Sequence, residues 1–292
     1  MLTTYLPYAD INLLKVYQSH EIDDAFNSIV SEWELEFGFP HGGCQQRAQI
    51  ISLLLQTKFG IDHYKVWLFA PAALYLKDNR MLHFKDAKGL SPDNLMEWSF
   101  HVAPIVRMEL NDVVDNYVID PSLDPDHPLL LQDWFNMLGN GDVGQYSFLT
   151  PDKYFFNSSY HTDENGILTM LFDGSFYDYV NPAKDNLAVE KGLAINDMAG
   201  RIYNKYLLPM IENEDADADK LNDLKSVFGN ATALDMLFSQ NISGYTPNTT
   251  QRYVLTNYPD IIKEAREIFN ERLYHWVEVV NSLLKYKAIG TK

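Results

Sequence analysis

The chain has 292 residues, of which 46% are hydrophobic and 13% aromatic, and its formal charge at pH 7 is −17. This length accommodates one large domain or two modest ones, and so apolar a chain can bury a core, unlike a disordered acidic tail. The acidic charge excludes general nucleic-acid binders and proteins held on anionic membranes, because both need an excess of Lys and Arg. We therefore expect neither nucleic acid nor a membrane as a partner.

The chain contains one cysteine, Cys44. It therefore has no intrachain disulfide and no metal site built from several cysteines. The N-terminal segment shows no cationic region followed by an apolar one, so we expect no signal peptide and a cytoplasmic protein. A specialised secretion system would leave no such mark in the sequence.

The first third of the chain predicts two helices followed by a strand. A helix is predicted over 20–36, because apolar residues recur there at helical spacing; they are Ile22, Phe26, Val30 and Trp33. A second helix begins at Cys44, directly after Gly-Gly, and ends near Gly60. A buried strand over 64–70 comes next, and then an irregular connection over 71–96.

The middle of the chain predicts antiparallel strands. Residues 98–110 and 116–120 are rich in β-branched and aromatic residues and flank a polar turn, which predicts a hairpin. Pro104 indicates an edge or a bulge in its first strand. Two further strands, 167–172 and 175–180, flank an Asp-Gly turn signal.

Beyond residue 182 the pattern becomes helical. We divide the chain into an N-terminal helical segment (1–37), an α+β core (38–182) and a helical C-terminal region (183–292). The run 212–220 resembles the start of a calcium-binding loop, but Lys220 stands where glycine is required and Ser226 where the bidentate Glu belongs. A solvated linker is therefore the better interpretation, and we expect no metal and no cofactor.

Cys44 is placed where a thiolate is stabilised, because the unpaired N–H groups and the dipole at a helix N-terminus favour an anion. A catalytic thiol also needs an imidazole and an acid that orients it. If Glu109 and Asn116 close the hairpin, or if the turn is tighter, Asp120 lies opposite His101 or within a few residues of it. A carboxylate beside an imidazole fixes the tautomer and stabilises imidazolium.

Each of these residues also has an ordinary structural interpretation. A lone buried cysteine is more often a small core residue than a nucleophile. His101 could be a hydrogen-bonded core histidine, and Asp120 before Pro121 could be a turn residue. A metal site at His41-x-x-Cys44 lacks further ligands at a known spacing. Spacing alone leaves these alternatives open.

Three segments together resemble the bacterial protein-glutaminase family of papain/transglutaminase-like cysteine enzymes. They are FPHGGCQQRAQ (39–49), WSFHVAPIV (98–106) and YVIDPSL (117–123). The resemblance implies an α+β fold with a papain/transglutaminase-like core, in which the cysteine-bearing helix packs on an antiparallel sheet. It also implies Cys44 as nucleophile, His101 as general base and acid, and Asp120 as orienting acid.

Several neighbouring residues are candidates for substrate or oxyanion binding. The backbone N–H of Cys44 is the natural first donor to an oxyanion. The second donor is open, with Gln45, Gln46 and the Trp98 indole as candidates, and Phe100 is a candidate cleft wall. For Arg47, one helical turn after Cys44, we favour a structural ion pair over substrate binding.

The resemblance implies deamidation of glutamine in a protein or peptide substrate, through a thioester acyl-enzyme. One alternative is a transglutaminase-like acyltransferase that joins an amine acceptor to a thioester donor, as a small molecule or on a carrier. Another is an inactive interaction module. Hydrolysis and amide formation differ only in whether water or an amine enters the second half-reaction.

Overall fold

The computed structural model describes residues 6–39, 41–162, 168–180, 184, 187–213, 215–239 and 247–290. The strands are β1 (Val16–Gln18), β2 (Tyr64–Phe69), β3 (Leu82–Lys85), β4 (Leu95–Trp98), β5 (Phe100–Leu110), β6 (Val113–Val118), β7 (Leu129–Leu130), β8 (Gln145–Leu149), β9 (Lys153–Thr162) and β10 (Leu168–Asp178). The α-helices are α1 (Ser19–Glu32), α2 (Cys44–Leu54), α3 (Pro71–Leu74), α4 (Leu131–Met137), α5 (Ala188–Ile202), α6 (Leu208–Ile211), α7 (Ala218–Phe228), α8 (Ala231–Leu234), α9 (Thr249–Asn257) and α10 (Pro259–Gly290).

The central sheet runs in the order β7-β6-β5-β2-β8, with antiparallel pairing throughout that path, and β1 adds to it by parallel pairing with β5. Side chains alternate between its faces, as the two-residue period of a strand requires. In β2, Val66 and Leu68 enter one apolar cluster, whereas Trp67 and Phe69 enter another. The mixed α+β fold with an antiparallel sheet confirms the fold prediction.

The helix that begins at Cys44 forms as predicted. α2 continues into a π-helical turn over Leu55–Phe59, which ends at Gly60 with φ of 64°. Its buried residues include Ile50, Ile51 and Leu54. Since these share an apolar cluster with Val106 of β5, the cysteine-bearing helix packs on the central sheet.

Three predictions in the β-rich region are corrected by the structure. The connection over 71–96 contains α3 and the β3–β4 pair rather than irregular chain. Asp173-Gly174 is not a hairpin turn, because β10 runs through it as one strand with a register shift between Phe172 and Phe176. Pro104 lies in the central strand β5, opposite Lys65 of β2, and not at an edge.

The C-terminal helices share a core with the rest of the chain. One apolar cluster includes Ile29 of α1, Leu54 of α2, Met198 of α5 and Trp276 of α10. The proposed division at 37/38 and 182/183 stays a prediction, and residues 182 and 183 lie outside the described residues. At the linker, Asp217 caps α7 by accepting a hydrogen bond from the Lys220 backbone N–H at 3.0 Å.

Among the helices in the described ranges, none is long and apolar enough to cross a bilayer.

Candidate active site

The β5–β6 hairpin brings His101 and Asp120 together. Its turn is tight, so that Glu109 pairs with Val114 rather than with Asn116. Extended past its last pair, Ile105 with Val118, this register places position 120 level with Ala103, two residues from His101, and the aspartate side chain spans the diagonal. His101 Nε2 and Asp120 Oδ2 lie 2.7 Å apart, and both side chains are buried.

The charges of this pair stabilise each other. Burial alone would lower the pKa of His101, but the charge of Asp120, the hydrogen bond to it and the nearby Cys44 outweigh burial and raise that pKa to about 9. Burial alone would raise the pKa of Asp120. Three neighbours outweigh the effect of burial and lower the pKa of Asp120; they are His101, through its charge and its hydrogen bond, Trp134, through its hydrogen bond, and Arg47, through its charge. Imidazolium and carboxylate are therefore the favoured forms at neutral pH.

Two tryptophans hold the pair in place. The Trp134 indole N–H donates to Asp120 Oδ2 at 2.9 Å, so this oxygen accepts from both the imidazole and the indole. The rings of Trp98 and Trp134 stack on the imidazole, with centroids 4.8 and 5.5 Å away. Sequence reasoning missed the role of Trp134, because only the fold brings α4 against the end of β6.

Cys44 lies at the first residue of α2, next to His101. The residue before it, Gly43, has φ of 78°, a left-handed conformation that favours glycine. The thiol is half-buried and donates to Gln45 Oε1 at 3.5 Å. With Nε2 engaged by Asp120, His101 Nδ1 is the ring nitrogen left for the thiol, and it has no other partner within the described part of the chain.

A cleft of about 600 Å³ opens beside Cys44. Its walls come from the start of α2, the β4–β5 junction, β9, β10, α5 and the α8 segment. Lining residues include Gly42, Gly43, Cys44, Gln45, Gln46, Trp98, Phe100, Tyr154, Tyr177, Ile195, Asn196, Ala231 and Asp235. Helices beyond residue 183 therefore complete the cleft around the cysteine.

The two glycines before Cys44 are packed tightly against those helices. A Cβ on Gly42 would overlap Ala231 of α8, and a Cβ on Gly43 would overlap the carboxamide of Asn196 of α5. The C-terminal region thus contacts the chain at the residues that lead into Cys44. Sequence reasoning identified none of these contacts.

The other predicted binding residues lie at the cleft, in different surroundings. Gln45, Gln46, Trp98 and Phe100 all line it. Gln46 packs against Gly192 of α5, and hydrogen bonding from it acts on the buried Tyr154 hydroxyl. Whether any of these four residues binds substrate stays a prediction.

Arg47 is buried beneath the site rather than exposed in the cleft. Its Nη1 donates to the Phe39 carbonyl at 3.4 Å. Burial lowers its pKa, opposed by the charges of Cys44, Asp120 and Glu36. Across the described ranges no carboxylate lies within ion-pair distance of its guanidinium, so the predicted ion pair does not form there. Arg47 instead acts on Asp120 from a longer distance, because its positive charge helps to lower the pKa of that carboxyl group.

His41 forms a second buried pair with a carboxylate. Its Nε2 lies 2.9 Å from Asp86 Oδ2, and the same carboxylate accepts the backbone N–H groups of Lys88, Leu90 and Ser91. The pair therefore fixes the segment around Asp86 beside the cleft. No set of three or more His, Cys, Asp or Glu side chains in the described ranges is arranged to hold a metal ion.

One comparison with known proteins matches a segment that contains Cys44, His101 and Asp120. Residues 20–138 match a family model described as glutaminase. Among solved structures, the chain is similar to protein-glutaminase from Chryseobacterium proteolyticum, with 21% identity and a TM-score of 0.39, over 56% of this chain and 84% of that one. It is similar to another protein-glutaminase structure at 19% identity and a TM-score of 0.38, over 63% and 97%. The pro-protein-glutaminase is 20% identical with a TM-score of 0.39, and the match covers 60% of this chain and 59% of that one. No curated protein matches the chain significantly.

Proposed function

We propose that this chain, which belongs to the glutaminase family through residues 20–138, deamidates glutamine side chains of proteins through a thioester on Cys44. The observation that carries the proposal is a thiol at a helix N-terminus, in a cleft, beside a buried imidazole held by a carboxylate. The family segment contains all three side chains. Together they supply a nucleophile, a proton carrier and an orienting acid.

The first half-reaction needs an anionic sulfur and a proton for the leaving group. The Cys44 thiolate attacks the side-chain carbonyl of glutamine and forms a tetrahedral oxyanion. His101 then donates its proton to the departing nitrogen, which leaves as ammonia, and a thioester remains on Cys44. The raised pKa of His101, held at about 9 chiefly by Asp120 against the effect of burial, keeps that proton available at neutral pH.

The second half-reaction returns the enzyme to its starting form. Neutral His101 takes a proton from water as the water oxygen attacks the thioester carbonyl. The thiolate leaves, and the substrate carries a glutamate where it had a glutamine. Asp120 stays ionised throughout and stabilises the imidazolium that gives up its proton in the first half-reaction and forms again in the second.

The experiment that tests the proposal measures ammonia release from a protein substrate, with mapping of the glutamines that gain 1 Da on conversion to glutamate. Cys44→Ala and His101→Ala should each abolish release. His127→Ala is the matched control, because His127 also contacts an aspartate, Asp124, at 2.9 Å but is exposed on the surface. Loss of release in the control alone, or continued release by Cys44→Ala, would contradict the proposal.

Hydrolysis and amide formation share this acyl-enzyme and differ in the nucleophile that resolves it. Adding a primary amine such as methylamine during turnover and measuring intact mass shows which nucleophile resolves the thioester. We expect glutamate as the main product. Amide product in excess over glutamate would instead support the transglutaminase-like acyltransferase.

A further inference from the structure

Asn196 is a buried side chain of α5 that reaches the start of the cysteine-bearing helix. It lies outside the segment that matches the family model, which ends at residue 138. Asn196 is 4% exposed and lines the same cleft as Cys44. Its Nδ2 is buried and has no hydrogen-bond partner among the residues that the structure describes.

The carboxamide of Asn196 is held against Gly43. A Cβ at position 43 would overlap its nitrogen, carbon and oxygen, so only glycine allows this approach. One turn earlier on α5, Gly192 makes a similarly close contact with Gln46 of α2. This face of α5 therefore packs directly on the first turn of α2, and Asn196 is placed beside the residue that precedes the nucleophile.

The proposed reaction still lacks a second hydrogen-bond donor to the oxyanion. Acyl transfer develops negative charge on the carbonyl oxygen, and preorganised N–H donors near the nucleophile stabilise that charge. The backbone N–H of Cys44, at the open N-terminus of α2, supplies one donor. Gln45 is less suited to supply the second, because its side chain is only half-buried and its oxygen, not its N–H groups, lies 3.5 Å from the Cys44 sulfur.

We propose that the Asn196 side-chain N–H is the second oxyanion donor, an inference that rests on acyl transfer at Cys44. Buried polar groups are almost always hydrogen-bonded, and a buried donor without a partner needs an explanation. Here the donor acquires its partner when the thiolate adds to the substrate carbonyl. The C–S bond forms, the carbonyl π-electrons move to oxygen, and that oxygen accepts from Cys44 N–H and Asn196 Nδ2–H.

Two reactions of the same thiol separate this role from a structural one. Acylation by p-nitrophenyl acetate passes through a tetrahedral oxyanion and releases p-nitrophenolate, whereas alkylation by iodoacetamide displaces iodide without one. Asn196→Ala removes the donor, and Asn196→Asp keeps the shape but replaces the N–H groups with an acceptor. Asn204→Ala is the control, since it removes an exposed amide just beyond α5.

Loss of one oxyanion donor typically costs about 10²–10³ in rate, so we expect both Asn196 variants to slow acylation by at least about tenfold. Alkylation should change less than about twofold in Asn196→Ala, as should both reactions in Asn204→Ala, whereas in Asn196→Asp the new charge beside the thiolate should also slow alkylation, though less than acylation. On a glutamine substrate kcat should fall while KM changes little, because the contact forms only in the transition state.

An unchanged acylation rate in a folded Asn196 variant would overturn the inference. So would an equal loss in acylation and alkylation, since that reports a displaced cysteine, and so would a wild-type thiol that is alkylated but never acylated. A wild-type protein that is acylated but releases no ammonia from glutamine would contradict deamidation instead. In that case the rate of acylation by p-nitrophenyl acetate still tests the role of Asn196.

Discussion

His101 Nε2 lies 2.7 Å from Asp120 Oδ2, and this contact closes the open end of a hairpin in the protein interior. The two residues are separated by a tight turn and two strands, so the hairpin register sets their distance. A slip of one residue would move one of the two side chains to the opposite face of the sheet. The site therefore depends on the same pairing that forms the sheet.

Asp120→Asn should keep the shape of this contact and remove its charge. Without the carboxylate the imidazolium loses its main stabilising charge, and the wrong imidazole tautomer is favoured. We expect kcat for ammonia release to fall by roughly 10²–10⁴-fold, with a smaller change in KM. The matched control is Asp124→Asn, which removes the carboxylate beside exposed His127 and should retain wild-type kcat. Equal kcat in the two variants would remove Asp120 from the mechanism.

The pH dependence of turnover should report the proton on His101. Its pKa is about 9, since Asp120 and Cys44 together outweigh the opposing effect of burial. In the proposed mechanism ammonia leaves only when His101 is protonated, so kcat/KM should decline on the alkaline side, through about pH 9. In Asp120→Asn the decline should move to lower pH, and rates measured over pH 6–10 would detect it. An alkaline limb at the same pH in both proteins would contradict the assignment.

Stability should depend on pH through the same group. The pKa of His101 rises on folding from the ordinary 6.5 to about 9, because the charge of Asp120 outweighs burial. The stabilisation is therefore fully present below pH of about 6.5 and is lost as the pH rises through about 9. Urea unfolding should show this decrease in the free energy of unfolding, measured as the wild-type value minus that of His101→Gln. The difference for His127→Gln, an exposed residue, should stay flat over the same range.

Trp134→Phe tests whether the indole positions Asp120 or only fills the core. The variant keeps an aromatic ring and removes the N–H that donates to Asp120 at 2.9 Å. Trp276→Phe is the matched control, since its indole is equally buried and donates to Asp197 at 2.7 Å. Each variant loses a hydrogen bond to a charged group, worth about 1.5–3 kcal/mol of unfolding free energy.

Only Trp134→Phe should also lower kcat and shift the alkaline limb to lower pH. Urea unfolding compares the two losses of stability, and the pH–rate profiles compare the catalytic effects. Similar kcat in the two variants at similar stability would show that the Trp134 N–H has a structural role alone.

The sequence was informative where a local signal determined the geometry. Gly-Gly directly before Cys44 predicts that α2 begins at Cys44, and the two β-rich segments predict the hairpin that carries His101 and Asp120. Local signals misled where tertiary pairing decided the outcome. Asp173-Gly174 has turn chemistry, but pairing with β9 keeps β10 continuous through it.

The contacts that complete the site join distant parts of the chain, and no spacing rule reveals them. Trp134 reaches Asp120 because α4 packs near the end of β6, and Asn196 reaches Gly43 because α5 packs on α2. A tryptophan and an asparagine at these positions are ordinary residues of a helix until the packing partner is known. The predicted site therefore contained Cys44, His101 and Asp120, which the structure brings together, but lacked the groups packed around them.

Gly43→Ala separates backbone strain from the packing of α5 on the cysteine loop. Gly43 and Gly60 both have left-handed backbones, with φ of 78° and 64°, so alanine at either position should cost about 1–2 kcal/mol of unfolding free energy. A Cβ on Gly60 meets open space, whereas one on Gly43 overlaps the Asn196 carboxamide. We therefore expect Gly60→Ala to keep wild-type kcat, and Gly43→Ala to lose more stability together with at least about tenfold in kcat, as loss of an oxyanion donor requires. Thermal unfolding and ammonia release measure the two effects. If Gly43→Ala matched Gly60→Ala in both measurements, the close approach of α5 to the start of α2 would have no part in catalysis.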